Sequence, residues 1–175
     1  YYAFEMLYWT GIREGELLAL TPTDFNFEKK TLRINKSYQR LEGEDVITDP
    51  KTTKSNRTIV MPDFLAIEME DFIKSIYGIK MNDRIFTISK SYLHHEMDRG
   101  AKLAGVKRIR IHGLRHSHIS LLINLGFSAL AIGERVGHEA IDITYHYAHL
   151  FPTVQTDMAA QLEKEREALV NVKKE

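Results

Sequence analysis

The apolar residues of this chain change period twice, and no other feature constrains the fold as tightly. Phe4, Leu7 and Tyr8 recur at i, i+3 and i+4, a helical spacing that breaks at Thr10-Gly11. Leu17, Leu18 and Leu20 predict a second short helix that ends before Pro22. The pattern then alternates. Leu32, Ile34, Lys36 and Tyr38 interleave with Thr31, Arg33, Asn35 and Ser37, which is strand behaviour. Gly43 marks a turn, residues 46–48 a return strand and residues 57–61 a third, with a loop over residues 49–56 joining the last two. Helical spacing resumes at residues 63–77, where Leu65, Met69, Phe72 and Ile76 share a stripe. Residues 91–104 predict another helix, stopped by Gly105. A further helix follows His112 with Leu114, Leu121, Leu122 and Leu125, stopped by Gly126. Ser128 N-caps the next, which ends near Gly137. Asp142 caps a short helix carrying Tyr145 and Tyr147. After Pro152 comes a long polar helix with Val154, Met158, Leu162 and Leu169 on a narrow stripe. The expected class is α+β: a mainly helical domain with a small three-stranded antiparallel sheet near its N-terminal half.

Composition narrows the function classes. The 175 residues are 43% hydrophobic and 27% charged, enough for one domain with a buried core. There is no cysteine, so disulfides, thiolate zinc sites and cysteine nucleophiles are excluded. No apolar run approaches the ~20 residues that span a bilayer, so no membrane partner is expected. The start, Tyr1 to Glu5, has neither a basic segment nor an initiator Met. It is no signal peptide, and it reads as a cut inside a longer protein.

Charge is neutral overall, with 24 Lys and Arg against 24 Asp and Glu. It is unevenly spread. From Arg99 to His118 there is no acidic residue, but Arg99, Lys102, Lys107, Arg108, Arg110 and Arg115 are all there. One basic face on a neutral protein is enough to hold a polyanion, because the local field decides the contact. A solvated surface would show the same charges.

Chemistry-bearing residues concentrate at five places. Arg13 and Glu16 lie at i, i+3, where a carboxylate can orient a guanidinium toward an anion or form a simple surface pair. His112 and Arg115 repeat that spacing at a predicted helix start, which favours anions. The imidazoles of His112, His116 and His118 have spacing that permits metal ligation, but no acidic residue lies near to complete a site. His138 follows Val136-Gly137, and Tyr147 lies further on. Taken singly, a His after a Gly is usually a cap, and a Tyr on a helix is usually packing. The fifth place is the loop from Lys51 through Lys54 to Arg57, at whose tip a lysine can swing into a groove.

In order, these residues resemble the catalytic domain of the tyrosine recombinases, the phage-type integrases. The matching pieces are Thr10-Gly11-Ile12-Arg13 with Glu16-Leu17, then His112-Gly113-Leu114-Arg115-His116, then Val136-Gly137-His138, then Tyr147-Ala148-His149. The loop from Lys51 to Ile59 is similar to the family's lysine hairpin. The chain departs at Val136, where Leu is usual, and at Gly113, where Asp is usual.

The resemblance implies a site-specific recombinase that cuts and rejoins DNA through a 3′-phosphotyrosyl intermediate, with no metal or nucleotide cofactor. Tyr147 is then the nucleophile, Arg13 and Arg115 clamp the scissile phosphate, and His112 accepts or relays the tyrosine proton. His138 donates to a phosphate oxygen, Glu16 positions Arg13, and Lys51 protonates the leaving oxygen, with Lys54 as the rival lysine. Arg33, Arg40, Lys54, Lys102, Arg108 and Arg110 are candidate DNA contacts by charge. The implied partners are double-stranded recombination sites and other protomers in a tetramer, in the cytoplasm of a bacterial cell. Residues 1–153 form the catalytic domain, and residues 154–175 a helical tail that docks on a neighbouring protomer. Two other readings stay open: a type IB topoisomerase-like enzyme, and a DNA-binding module without chemistry.

Overall fold

The computed structural model describes residues 1–49, 55–138, 140–147 and 150, together with 159–160, 162–164 and 166. Helix α1 (Tyr2–Thr10) buries Ala3, Met6, Leu7 and Thr10 and stops at Gly11. Gly11 has φ 66°, a left-handed conformation in which its N–H closes onto Leu7 O. It is also a point of close approach. A Cβ there would lie 2.5 Å from His118 Cδ2 and 3.3 Å from Val136 Cγ1, so the absence of a side chain lets three helices meet. Helix α2 (Glu14–Ala19) begins at Arg13, whose N–H is capped by the Glu16 carboxylate, and leads through a 3₁₀ turn at Pro22–Asp24 into the strands.

The class is the expected one: the described residues are mainly helical, with a small antiparallel sheet. The strands are partitioned differently from the sequence reading. β1 (Phe25–Asn26), β2 (Thr31–Ile34) and β5 (Arg57–Val60) form a three-stranded sheet in the order β1-β2-β5. β3 (Ser37–Leu41) and β4 (Glu44–Thr48) pair separately as a two-stranded ribbon. The alternating run from Thr31 to Tyr38 is therefore two strands rather than one. Lys36 at the break reaches back to the buried Asp24, its Nζ donating to Oδ1 at 2.6 Å. That ion pair, between residues twelve apart, ties the break between the two strands to the 3₁₀ turn. The sheet lies with Leu32, Ile34 and Ile59 in the core, against Leu17, Leu18 and Leu20 of the α2 region.

Helices α3 (Asp63–Ser75), α4 (Lys90–Ala104), α5 (Ile111–Asn124), α6 (Ala129–Val136) and α7 (Ala140–Tyr147) follow. Leu65 and Met69 are fully buried, as their stripe predicts. Ser128 N-caps α6, its Oγ accepting from Ala131 N–H at 3.3 Å. Helix α7 begins at Ala140, so Asp142 sits in its first turn rather than at its cap. Two apolar clusters result. The larger spans α1 to α4, the strands and the start of α5, and a smaller one joins Ile119, Ile123, Ile132, Val136, Ile143 and Tyr147. Between them runs the seam where the polar residues of interest gather. In the C-terminal segment Leu162 is exposed; Val154, Met158 and Leu169 of its expected stripe lie outside the described residues.

Candidate active site

Glu16 is 4% exposed, and a carboxylate that deep requires cations. Two arginines supply them. Arg57, at the start of β5 and itself buried, donates from Nη1 and Nη2 to the two Glu16 oxygens at 3.0 and 2.9 Å. Arg13 donates from Nη1 to Oε1 at 2.9 Å and from its backbone N–H to Oε2 at 2.8 Å. Burial alone would raise the Glu16 carboxyl, but the hydrogen bonds and charge of Arg57, then of Arg13, hold it below the ordinary carboxylate range. The expected Arg13–Glu16 pair is thus one half of a three-residue network.

The end of α6 gathers the same arginines. Three consecutive carbonyls accept from three different guanidiniums: Arg135 O from Arg57 Nε at 2.8 Å, Val136 O from Arg115 Nη2 at 2.6 Å, and Gly137 O from Arg13 Nη2 at 3.2 Å. A helix C-terminus leaves carbonyls unsatisfied and concentrates negative potential, so it can seat cations close together. Arg115 also donates from Nη1 to Gly11 O at 2.5 Å and is only 1% exposed. Burial first, then the charge of Arg13, pulls its pKa below the usual guanidinium value without bringing it near neutrality. Arg135 braces the assembly from behind. Its guanidinium donates to His118 Nε2, Val60 O and Trp9 O, each at 3.1 Å, tying α6 to α5, β5 and α1.

Tyr147 closes the site from α7. Its ring packs in the smaller apolar cluster, and its hydroxyl hydrogen-bonds His116 Nδ1. Tyr145, two residues earlier, is 77% exposed, as a turn of about 200° along the helix requires. Burial raises the Tyr147 phenol, and the charge of Arg115 opposes that rise. His112 is exposed on the first turn of α5, its ring edge-on to His116 with centroids 4.9 Å apart. His138 is half-buried beyond Gly137 and is held down to about 4, first by burial and then by Arg115 and Arg13. His112 is lowered for related reasons: burial, then His116, Arg115 and Arg13. The charges of Arg115 and Arg13 thus bear on both His112 and His138, and the charge of Arg115 bears on Tyr147 as well.

The group against the phenol is His116, one turn beyond the expected His112. His116 shares the motif and was legible only as a metal candidate. Among the described residues no three His, Asp or Glu side chains gather as a metal-binding group; His112 and His116 pack together, while His118 faces inward to Arg135. Arg57 and Arg135 were missed. Alternation carried a signal for Arg57, which shares a strand face with the buried Ile59. Lys51 and Lys54 lie outside the described residues. Of the candidate DNA contacts, Arg33, Lys102 and Arg110 are exposed, Arg40 pairs with Asp45 at 2.9 Å, and Arg108 pairs with Asp98 at 2.5 Å. Arg40 and Arg13 also line a groove of about 490 Å³ whose lining among the described residues includes Lys90 and Ser89 and no carboxylate. Among the described residues no helix is long and apolar enough to cross a membrane.

His118 makes the electrostatics testable. Burial, then Arg135, lowers its pKa to about 4, against about 6.5 in an unfolded chain. Between those values the unfolded state binds more protons, so stability falls as pH drops from neutral toward 4. His118→Gln keeps an acceptor for Arg135 but removes the titration. Its urea midpoint is expected to depend less steeply on pH than that of the wild type; equal slopes would contradict the assignment.

A model of the phage integrase family matches residues 1–153. The chain belongs to that family. Among curated integrase relatives, the ICEBs1 integrase of Bacillus subtilis is 29% identical, over 91% of this chain and 47% of its own length. The integrase of Staphylococcus phage L54a is 31% identical, over 93% of this chain and 51% of its own. The chain therefore spans about half the length of the integrases it matches. A solved structure of the Tn1549 transposon integrase, in complex with a circular intermediate DNA, superposes with a TM-score of 0.77. It covers 94% of this chain and 57% of that one at 22% identity, a likeness of fold.

Proposed function

We propose that this chain is the catalytic part of a site-specific DNA recombinase of the integrase kind, which inserts or excises a mobile element. The observation that carries the reading is the seating of Arg13 and Arg115 on adjacent carbonyls at the end of α6, with the Tyr147 phenol within the field of Arg115. Paired guanidiniums suit a phosphodiester, whose charge grows as a nucleophile adds. The Tyr147 oxygen attacks phosphorus and the bond to the 5′ oxygen breaks, leaving a 3′-phosphotyrosyl ester that conserves the bond energy for resealing. Arg13 and Arg115 hold the non-bridging oxygens. Neutral His138 donates one N–H to them, and His112 joins the path of the tyrosine proton. Glu16 fixes Arg13, and Lys51, with Lys54 as its rival, protonates the leaving 5′ oxygen.

The partners of this reaction are duplex recombination sites and further protomers arranged as a tetramer on paired sites, in the cytoplasm of a bacterial cell. Residues 1–153 form the catalytic domain, and residues 154–175 dock on a neighbouring protomer. Removing residues 154–175 from the protein that carries this chain should impair synapsis while sparing cleavage of a single site. Unimpaired recombination by the truncated protein would refute the docking.

A duplex nicked beside the scissile phosphate traps the covalent intermediate, because the short 5′ product diffuses away. The wild type should accumulate a protein–DNA adduct and Tyr147→Phe none. An adduct that survives Tyr147→Phe would refute the reading. In the same assay Lys51→Ala should be inactive and Lys54→Ala active, and the reverse result would reassign the lysine. Relaxation of supercoils without joint molecules would mark a topoisomerase instead.

A further inference from the structure

We propose that His116, rather than His112, is the immediate acceptor of the Tyr147 proton; this rests on the reading of Tyr147 as nucleophile. The geometry is direct. The phenol hydroxyl hydrogen-bonds His116 Nδ1, and the two rings lie 5.9 Å apart with a 44° tilt. In the described contacts His112 meets the pair through a T-shaped packing of its ring with that of His116. A proton acceptor must be within hydrogen-bond reach of the proton it takes, and among the two histidines only His116 meets that condition in the described contacts. The positions of the two residues explain why. Tyr147 is anchored in the apolar cluster of α5, α6 and α7, and His116 lies on α5 one residue after the buried Arg115 and three before the buried Ile119. His112 sits a turn earlier, at the exposed start of the helix.

The surroundings keep His116 ready to accept. The charged and titratable groups that bear on it are Arg115 on its own helix, His146 and Tyr147 on α7, and His112 one turn away. Burial, then Arg115 and His146, lower its pKa, which favours the neutral imidazole at pH 7; in the tautomer this proposal requires, Nε2 carries the proton and Nδ1 accepts from the phenol. As the Tyr147 oxygen bonds to phosphorus, its proton passes to Nδ1. The P–O5′ bond breaks, and the 5′ oxygen leaves with a proton from the loop lysine. The imidazolium that forms lies beside the ester oxygen and can return the proton when the 5′ hydroxyl reseals the strand. His112 then serves as the neighbour through which His116 exchanges its proton with solvent.

The test uses the protein that carries this chain, with single-turnover cleavage of the nicked duplex measured across pH and DNA binding measured alongside. His116 is exposed, so substituting it leaves both apolar clusters intact. His116→Gln can hydrogen-bond the phenol but cannot carry its proton. It is expected to bind DNA like the wild type and to cleave about 10²–10⁴-fold more slowly at neutral pH. The wild-type rate should rise with pH through the His116 titration and level off, and the variant rate should keep rising. His112→Gln should lose less than His116→Gln. Wild-type or faster cleavage by His116→Gln would overturn the proposal and make the contact a resting latch. A larger loss in His112→Gln would overturn it in favour of the other histidine. Tyr147→Phe run in parallel separates the two levels: an adduct there defeats the parent reading, whereas no adduct there with an unaffected His116→Gln defeats only this one.

Discussion

Arg115→Lys should leave a folded protein that binds its DNA but cleaves at least ~10²-fold more slowly. Lysine keeps the charge and loses the fork. Arg115 spans two helix ends, with Nη1 on Gly11 O and Nη2 on Val136 O, and a single ammonium cannot serve both carbonyls while facing a phosphate. Arg115→Ala goes further. It leaves both carbonyls unpaired in a site that is 1% exposed, a cost of about 1–3 kcal/mol for each orphaned group. Single-turnover cleavage and urea unfolding separate the effects: the lysine variant should fail mainly in the first and the alanine variant in both. An Arg115→Lys protein that cleaves at the wild-type rate would mean that charge alone suffices and that the two-carbonyl seat has no part in catalysis.

Glu16→Ala is expected to destabilise the domain by about 3–5 kcal/mol, because it strands the buried Arg57 guanidinium rather than removing a pair. The loss should be larger than that of Arg13→Ala, since Arg13 is partly solvated and Arg57 is not. Glu16→Gln restores shape and hydrogen-bond acceptance but not charge, and should fall between. Equilibrium unfolding in urea at neutral pH measures all three. If Glu16→Ala unfolds within ~0.5 kcal/mol of the wild type, the network is a surface feature and does not hold the site.

What the sequence made legible follows from the range of the interactions involved. Helix ends at Gly11 and Gly137 and the cap at Ser128 are local, written within a few residues of where they act. So is the Arg13–Glu16 pair. The division of the strands was not legible, because alternation continues unbroken through Asn35 and Lys36, and the break is held by Lys36 reaching Asp24. Arg57 and Arg135 were hidden for the same reason. Each earns its place through carbonyls or carboxylates far along the chain, and a charged residue shows no period of its own. The motif also hid the relation between its two histidines. His112 and His116 are both present in the pattern, but the Tyr147 phenol, carried by α7 far along the chain, meets His116.

The central claim is that one phenol, that of Tyr147, sits where a phosphate held by Arg13 and Arg115 would place its phosphorus. Mass spectrometry of the protease-digested adduct from the nicked duplex reads that claim at the atom in question. The account predicts a single modified peptide with the nucleotide on Tyr147. A nucleotide on the exposed Tyr145, or on any other residue, would contradict it.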